Sequence, residues 1–362
     1  MPKNPTEAKK VPCLKVEKTL GEKAIIALKA TGIFNSDYKI IHQENYLFIP
    51  LKRKLSKTEL EELRTKLPDF EVLLHEFPDR VEFQPELTDL LGEKLPPHLL
   101  ASSPQAIDFI GDIAVVEIPP ELENFKAVIG EAVLKAHKRV NTVLAKSSPI
   151  EGEFRVGKFE PIAGVAKSST VHKEYGCVFF VDLAKAYFSP RLSYEHNRIA
   201  SLVKEGETVL DLFTGVGPFA IHIVKKHQKV HVYAVDKNPE AIRLLEKNMT
   251  VNRVEAKITP ILGDARQIAA ERLRGSSDRV IMNLPERALE YVDAACQAIK
   301  PQGGVVHYYE FTSETEPLET AQKRLQQAVK QTGRKADEIL GSRIVRGTAP
   351  FTWQVVVDAT IK

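Results

Sequence analysis

Apolar spacing divides the chain into two regimes. From residue 193 onward, short apolar runs alternate with amphipathic stretches. "TVLDLF", "VHVYAVD", "ITPILGD", "RVIMNLP" and "GGVVHYYEF" read as strands, bounded by turn residues. Between and around them, helical spacing predicts helices over 193–204, 218–226 and 239–252, a short one after "ITPILGD", then "ALEYVDAACQAIK" and 316–331. Strand and helix in alternation predict a mostly parallel sheet covered on both faces. Two final runs, "SRIVRGTA" and "FTWQVVVDATI", predict a closing antiparallel hairpin, a departure from the plain dinucleotide-binding fold.

Before residue 193 the pattern is less regular. "CLKVE" reads as a strand, "LGEKAIIALKATGIF" as a helix, and "YKIIHQ" with "YLFIPL" as two strands around the turn "EN". Ser56, followed three residues later by Glu59, marks a capping-box start for "SKTELEELRTKL". Pro68, Pro78 and Pro85 punctuate a looser stretch, and a domain boundary belongs there. "AIDFIGDIAVVEIP" predicts a hairpin turning at Gly111-Asp112, and "ELENFKAVIGEAVLKAHKRV" an amphipathic helix. "FRVGKFEPIAG" and "STVHKEYGCVFFVDLAKAYFSP" read as strands, the latter turning at Tyr175-Gly176. The expected organisation is α/β with three parts. Residues 1–80 form a small N-terminal domain, 81–190 an α+β middle domain, and 191–362 a class I, Rossmann-like domain with a mostly parallel sheet and a closing antiparallel hairpin.

Composition excludes several classes. The chain has 362 residues, 43% hydrophobic and 27% charged, as in ordinary globular proteins, and is long enough for more than one core. Cys13, Cys177 and Cys296 stand far apart with no CxxC or Cys/His cluster, so no disulfide framework and no metal site is expected. The opening "MPKNPTEAKK" lacks the apolar core of a signal peptide, and no apolar run is long enough to span a bilayer. A cytoplasmic protein, a monomer without membrane partners, is expected. The net charge of +3 permits a nucleic-acid partner without demanding one.

The chemistry starts at "VLDLFTGVGPFAI". Gly215 and Gly217 sit between a predicted strand and helix, where glycine allows unusual backbone angles and close approach of a ligand. Alone, this is a weak match to the dinucleotide fingerprint. Asp236 ends the next strand, placed for ribose hydroxyls. Asp211 precedes the loop, where a carboxylate can take an amino group, and Asp264 in "ILGDAR" can take an exocyclic amine. Each acid alone reads as a helix cap. Three acids at successive strand ends on one sheet edge, with no nearby Lys or Arg, suit S-adenosyl-L-methionine better than a pyrophosphate. Phe213, Lys237 and Ala265 flank these positions and complete the expected cofactor site. The fourth strand ends "IMNLPE", where amino-group methyltransferases carry an Asn-Pro-Pro-aromatic turn. Asn283 and Pro285 keep that pattern; Leu284 and Glu286 depart from it. The acceptor is expected to be a nitrogen.

"EFRVGKFEPIAG", "TVHKEYG", "DLAKAYFSPRL", "DLFTGVGPF", "VDKNPEAI", "IMNLPERALEYVD" and "GGVVHYYEF" together resemble the archaeal and eukaryotic tRNA (guanine-37-N1) methyltransferases, over nearly the whole chain. The resemblance implies Glu195 as general base, Arg155 at guanine O6, Asn283 orienting the ring, and Tyr187 with Pro285 walling the base or the methionine end. His196 follows the base and is expected at the cofactor, though alone it reads equally as a half-buried histidine without a role. The resemblance also implies that the N-terminal unit reaches the outer corner of tRNA while the rest serves the anticodon loop. Without the family, Glu195 reads as a dipole-stabilised acid in a first helical turn, and Arg155 as a surface arginine. Turning the target base out of its stack costs a few kcal/mol. Lys135, Lys138, Arg139 and Lys173 are expected to offset this through phosphates, though the first three equally suit a solvated helix end. Arg191 and Arg198 fit RNA, structural or cofactor roles alike. The alternative function is a wyosine-pathway enzyme at the same tRNA position, methylating the tricyclic precursor or transferring the aminocarboxypropyl group. An NAD-dependent oxidoreductase lacks a hydride-partner arrangement here, and a catalytically dead RNA-binding protein fits poorly with intact Glu195, Asp236 and Asn283.

Overall fold

The computed structural model describes residues 9–77, 87–92, 94–104, 106–147 and 156–362. The chain divides into two compact units, Met1–Pro85 and Glu86–Lys362. The first carries β1 (Lys9–Glu17), α1 (Gly21–Ala30), β2 (Ile41–Gln43), β3 (Tyr46–Pro50), α2 (Lys57–Lys66) and β4 (Glu71–Phe77). Its sheet runs β2-β3-β1-β4, antiparallel throughout, and buries Leu14, Val16 and Ile49 with Leu28 of α1. The Ser56–Glu59 capping box forms as read, satisfying two amides at the start of α2. Part of the stretch after Pro68 is a regular strand: β4 pairs with β1 along seven residues, while 78–86 lie outside the described residues. The prolines flank the strand instead of interrupting it.

The second unit opens with α3 (Leu87–Gly92) and α4 (Pro97–Leu100). It continues through β5 (Ile107–Ile110), β6 (Ile113–Val116), α5 (Lys126–Ala136), β7 (Thr142–Lys146) and β8 (Phe159–Gly164). These strands form a sheet in the order β5-β6-β7-β8, with β6 and β7 parallel. Next comes a separate hairpin, β9 (Ser169–Glu174) and β10 (Cys177–Asp182). It turns at Tyr175-Gly176, both with positive φ (44° and 78°). The remaining elements are α6 (Ser193–Leu202), β11 (Thr208–Asp211), α7 (Pro218–Lys226), β12 (His231–Asp236), α8 (Pro239–Asn252), β13 (Ile258–Leu262), α9 (Ala265–Glu271), β14 (Arg279–Met282), α10 (Val292–Ala298), β15 (Gly304–Thr312), α11 (Pro317–Gln331), β16 (Ala336–Ala349) and β17 (Thr352–Ile361). The segments expected as middle and C-terminal domains, 81–190 and 191–362, thus fall largely within one unit.

Seven strands make the main sheet, in the order β13-β12-β11-β14-β15-β17-β16. The first five are parallel; β17 pairs antiparallel with both β15 and β16. One apolar core packs α6, α7 and α8 on one face, and a second packs α9, α10 and α11 on the other. Strand order reverses at β11, so the crevice beyond its carboxyl end is a topological switch point, where ligands bind in open α/β sheets.

The β9–β10 hairpin is tied to α8 by two asparagines. Asn248 accepts from Phe180 N at 2.6 Å and donates to Phe180 O at 3.2 Å. Asn252 does the same with Val178, at 3.0 and 2.6 Å. Each carboxamide satisfies both backbone groups of one residue, as a neighbouring strand would. Asn248 also donates to Val216 O in the glycine loop at 3.0 Å, linking the hairpin edge to that loop.

Candidate active site

The glycine loop leaves β11 and enters α7. Gly217 (φ 89°) is the N-cap and Pro218 the first helical residue. A Cβ on Gly217 would lie 2.2 Å from Leu245 Cδ1, so this glycine serves close helix packing as well as its left-handed backbone. A Cβ on Gly215 (φ 54°) would meet Tyr187 O at an ordinary 3.6 Å, and Gly215 lines a cavity of 310 Å³ at the carboxyl ends of β11 to β14.

The expected acids sit where the strand ends put them. Asp236 accepts from Gly215 N at 2.7 Å and Asn238 N at 2.9 Å, fixing the loop, and lines the cavity. Burial raises its carboxyl above the ordinary value. Asp264 is the N-cap of α9, accepting from Arg266 N and Gln267 N, and also lines the cavity, so the capping and ligand-facing readings coexist in one residue. Asp211 is fully buried, and no donor meets its carboxylate oxygens in full hydrogen-bond geometry, although Thr214 and the Phe213 amide lie close enough to temper the effect of burial. Burial pushes its carboxyl up to about 7. An orphaned buried acid beside a glycine loop is costly unless a cationic donor completes it. The ammonium of S-adenosylmethionine is such a group, and the residues present fit that cofactor.

Phe213, Lys237 and Ala265 line the cavity, as do Tyr187 and Asn283. Lys237 and Arg287 correct the expectation that no basic residue is near. Pro285 is not among the lining residues; its carbonyl accepts from Phe311 N at 3.0 Å, pinning the Asn-Leu-Pro turn to β15. Asp211, Glu195, Gly217 and His196 do not line the cavity either. His196 turns inward, edge-on to Phe219, with Nδ1 2.8 Å from Glu174 Oε1; His222 Nε2 reaches the same oxygen at 3.0 Å. Burial alone would raise the Glu174 carboxyl, but hydrogen bonds from His172, His196 and His222 hold it well below the usual range. Neighbours on a helix face directions about 100° apart, so His196 meets α7 and β9 while Glu195 meets the sheet.

Glu195 is 1% exposed, not a surface acid of a first turn. Its Oε2 accepts from Tyr309 OH and from Arg198 Nε, both at 2.9 Å. Its Oε1 accepts from Arg343 Nη1 at 2.6 Å. Burial, with Glu195 beside it, keeps the Tyr309 phenol protonated and therefore a donor. Arg198 is itself held by Asp358 (2.6 Å), which pairs with His307 Nδ1 (2.5 Å); His307 Nε2 accepts from Arg279, and Arg279 pairs with Glu207. Arg198 therefore bridges Glu195 and Asp358, and Arg191 pairs with Asp108 at 2.6 Å. Arg155 lies outside the described residues.

The closing hairpin carries groups that sequence reading missed. Gln354 Nε2 donates to Asn283 Oδ1 at 3.3 Å, and its Oε1 accepts from Arg346 Nε at 2.8 Å. Arg346 also reaches Ser189 Oγ (3.0 Å) and Tyr187 OH (3.3 Å). "SRIVRGTA" was legible as a strand, but nothing in it says which arginines face the site. A second, larger cavity of 1060 Å³ in this unit is lined by Arg139, Lys167, Lys173, Arg243 and Lys247. Two of the four cations expected at phosphates, Arg139 and Lys173, are among them; Lys135 and Lys138 are not. No helix among the described residues is long and apolar enough to cross a membrane.

The chain is similar to known proteins over most of its length. The TRM5/TYW2 methyltransferase domain matches residues 170–337, the TYW2 N-terminal domain 87–168, and the tRNA methyltransferase 5 N-terminal domain 13–59. The chain is 38% identical to the tRNA (guanine(37)-N(1))-methyltransferase Trm5b of Pyrococcus abyssi, over 90% of this chain and 92% of that protein. It is 36% identical to Trm5b of Methanocaldococcus jannaschii, over 96% and 98%. A tRNA(Phe) (4-demethylwyosine(37)-C(7)) aminocarboxypropyltransferase of the latter organism is 32% identical, over 69% of this chain and 95% of that protein. Among solved structures, a complex of aTrm5 with tRNALeu superposes with a TM-score of 0.71 at 34% identity, covering 97% of this chain and 99% of that one. M. jannaschii TYW2 in complex with AdoMet gives 0.56 at 28%, covering 71% and 99%. The chain belongs to the TRM5/TYW2 methyltransferase family, on its Trm5 side in length and domain content.

Proposed function

We propose that this protein transfers a methyl group from S-adenosylmethionine to N1 of guanosine 37 in tRNA. The observation that carries the proposal is the setting of Glu195. One hairpin, β16–β17, supplies both Arg343 to this carboxylate and Gln354 to Asn283. The candidate base and the candidate ring-orienting amide are thus held by one rigid element.

Guanine N1 bears a proton at neutral pH and becomes nucleophilic only as that proton leaves. Glu195 takes it. A carboxylate offers four acceptor positions, and three are filled here, two on Oε2 and one on Oε1. The open position on Oε1 receives the proton. S-adenosylmethionine, when bound, supplies an electrophilic methyl group; Asp211, Asp236, Asp264 and the Gly215 loop would hold it. Asn283, fixed by Gln354, aligns the ring, and Tyr187, fixed by Arg346, walls the site. Arg155 meets the charge that grows on O6, as the resemblance implies. Arg139 and Lys173, with Lys167, Arg243 and Lys247, offer an anionic RNA strand a basic groove. The unit at 1–85 serves tRNA recognition, in line with its tRNA methyltransferase 5 N-terminal match.

The test is transfer of labelled methyl from S-adenosylmethionine to an unmodified tRNA transcript with guanosine or inosine at position 37. Product at N1, slowed at least 100-fold by Glu195→Gln and clearly by Asn283→Ala, is expected. Inosine as substrate reports how far the 2-amino group is read. Labelling from the amino-acid chain of the cofactor instead would move the protein to the aminocarboxypropyl reaction. No labelling of either kind would remove the methyltransferase assignment.

A further inference from the structure

We propose that Arg343 is a specificity-determining and catalytic residue, which together with Glu195 reads the N1–O6 edge of the target guanine. The inference rests on Glu195 being the base and adds a second partner to it.

The first observation is which face Arg343 occupies. Residues three apart on a regular strand point to opposite faces. Arg343 pairs with Val356 and Arg346 with Gln354, so three steps on β16 match two on β17. That register shift is a β-bulge, and it restores both arginines to one face. Arg346 there holds Tyr187 and Ser189, and Arg343 holds Glu195.

The second is which partner of Glu195 is accessible. The Glu195 side chain is 2% exposed and Arg198 16%, while Arg343 is 37% exposed. Tyr309 is fully buried. A base arriving from solvent therefore meets the Arg343 guanidinium first, with the buried Glu195 carboxylate behind it. The guanidinium lies 4.7 Å from the Tyr194 ring centroid, which holds its plane.

The third is hydrogen-bond pattern. Oε1 is an acceptor with one open position, and Arg343 Nη1 lies beside it at 2.6 Å. A guanidinium has five N–H groups, and Glu195 uses one from Arg343. The pair presents acceptor next to donor, at about the separation of adjacent groups on a base edge. Guanine offers the complement, N1–H donor beside O6 acceptor. Adenine offers the reverse, N1 acceptor beside an amino donor, and would leave both protein groups unmatched. As the proton passes from N1 to Oε1, the N1 lone pair forms the bond to the methyl carbon. The sulfonium–methyl bond breaks, and its electrons leave with sulfur as a neutral thioether. The negative charge that grows on O6 meanwhile gains the Arg343 cation.

The experiment is single-turnover methylation of tRNA carrying guanosine or 6-thioguanosine at position 37, by wild type, Arg343→Lys, Arg343→Gln and Glu195→Gln, with tRNA affinity measured separately. Sulfur is a poor acceptor, so the thio substrate removes the O6 contact. Arg343→Gln should slow guanosine methylation about 100-fold with tRNA affinity nearly unchanged, and Arg343→Lys should recover part of the rate. Wild type should be slowed by the thio substrate, and Arg343→Gln should not be slowed further. Equal slowing of both substrates by Arg343→Gln would overturn the O6 contact, and an unchanged rate would overturn any role. Full activity of Glu195→Gln would instead remove the base assignment itself, which separates the two failures.

Discussion

Replacing Asp211 with asparagine isolates the cost of building a cofactor site before the cofactor arrives. Burial lifts this carboxyl from 3.8 to about 7. The folded state therefore holds its proton more tightly than the unfolded chain does. The sign follows: below pH 3.8 the group is protonated in both states and costs nothing. As pH climbs toward 7 the unfolded chain ionises first, and stability falls. Above pH 7 the cofactor-free protein is about 4 kcal/mol less stable than with an unperturbed acid. Of this, about 1.4 kcal/mol is lost between pH 6 and pH 8.5. Asparagine cannot ionise, so Asp211→Asn should gain that amount over wild type across the same interval. The assay is urea unfolding of both proteins at pH 6, 7, 7.8 and 8.5, using the difference between them so that other titrating groups cancel. The same variant should bind S-adenosylhomocysteine, which keeps the ammonium, about 10- to 100-fold more weakly, the worth of a charged hydrogen bond. Parallel stability curves with unchanged affinity would refute the reasoning and reduce Asp211 to a structural acid.

Three further outcomes are expected. Gly217→Ala forces both a left-handed alanine and a clash with Leu245, and should destabilise the protein by about 1–3 kcal/mol in urea melts. Asn248→Ala orphans the amide and carbonyl of Phe180 and frees Val216 O; hydrogen exchange of 177–182 should rise selectively, at a stability cost of about 2 kcal/mol. Arg139→Ala and Lys173→Ala should each weaken tRNA binding and flatten the plot of log affinity against log salt by about one unit of slope, measured by filter binding from 50 to 200 mM salt.

The cofactor crevice was legible because it depends on strand ends. Once the alternation of elements is read, the topology places Asp211, Asp236, Asp264 and Asn283 at one edge without any knowledge of packing. The bounds of α7 and α8 were read to the residue, since Pro218 and Pro239 start them. What was hidden depends on distant partners. The Glu71–Phe77 strand is framed by prolines and identified only by its pairing with β1. The inward turn of His196 requires Glu174 and His222, brought in from β9 and α7. The facing of Arg343 is set by a bulge that local alternation would place wrongly. Asn248 and Asn252 have helical spacing, which says nothing of the hairpin edge they satisfy.

The order of the parts along the chain gives the closing hairpin a temporal meaning. The residues around the cofactor crevice are complete by Tyr291. The groups that orient Glu195 and Asn283 are Tyr309, Arg343, Gln354 and Asp358, synthesised last. On the ribosome the residues of the cofactor cradle are therefore made before those that aim the base. β17 lies between β15 and β16, so the alignment of Glu195 and Asn283 rests on the last two strands of the sheet.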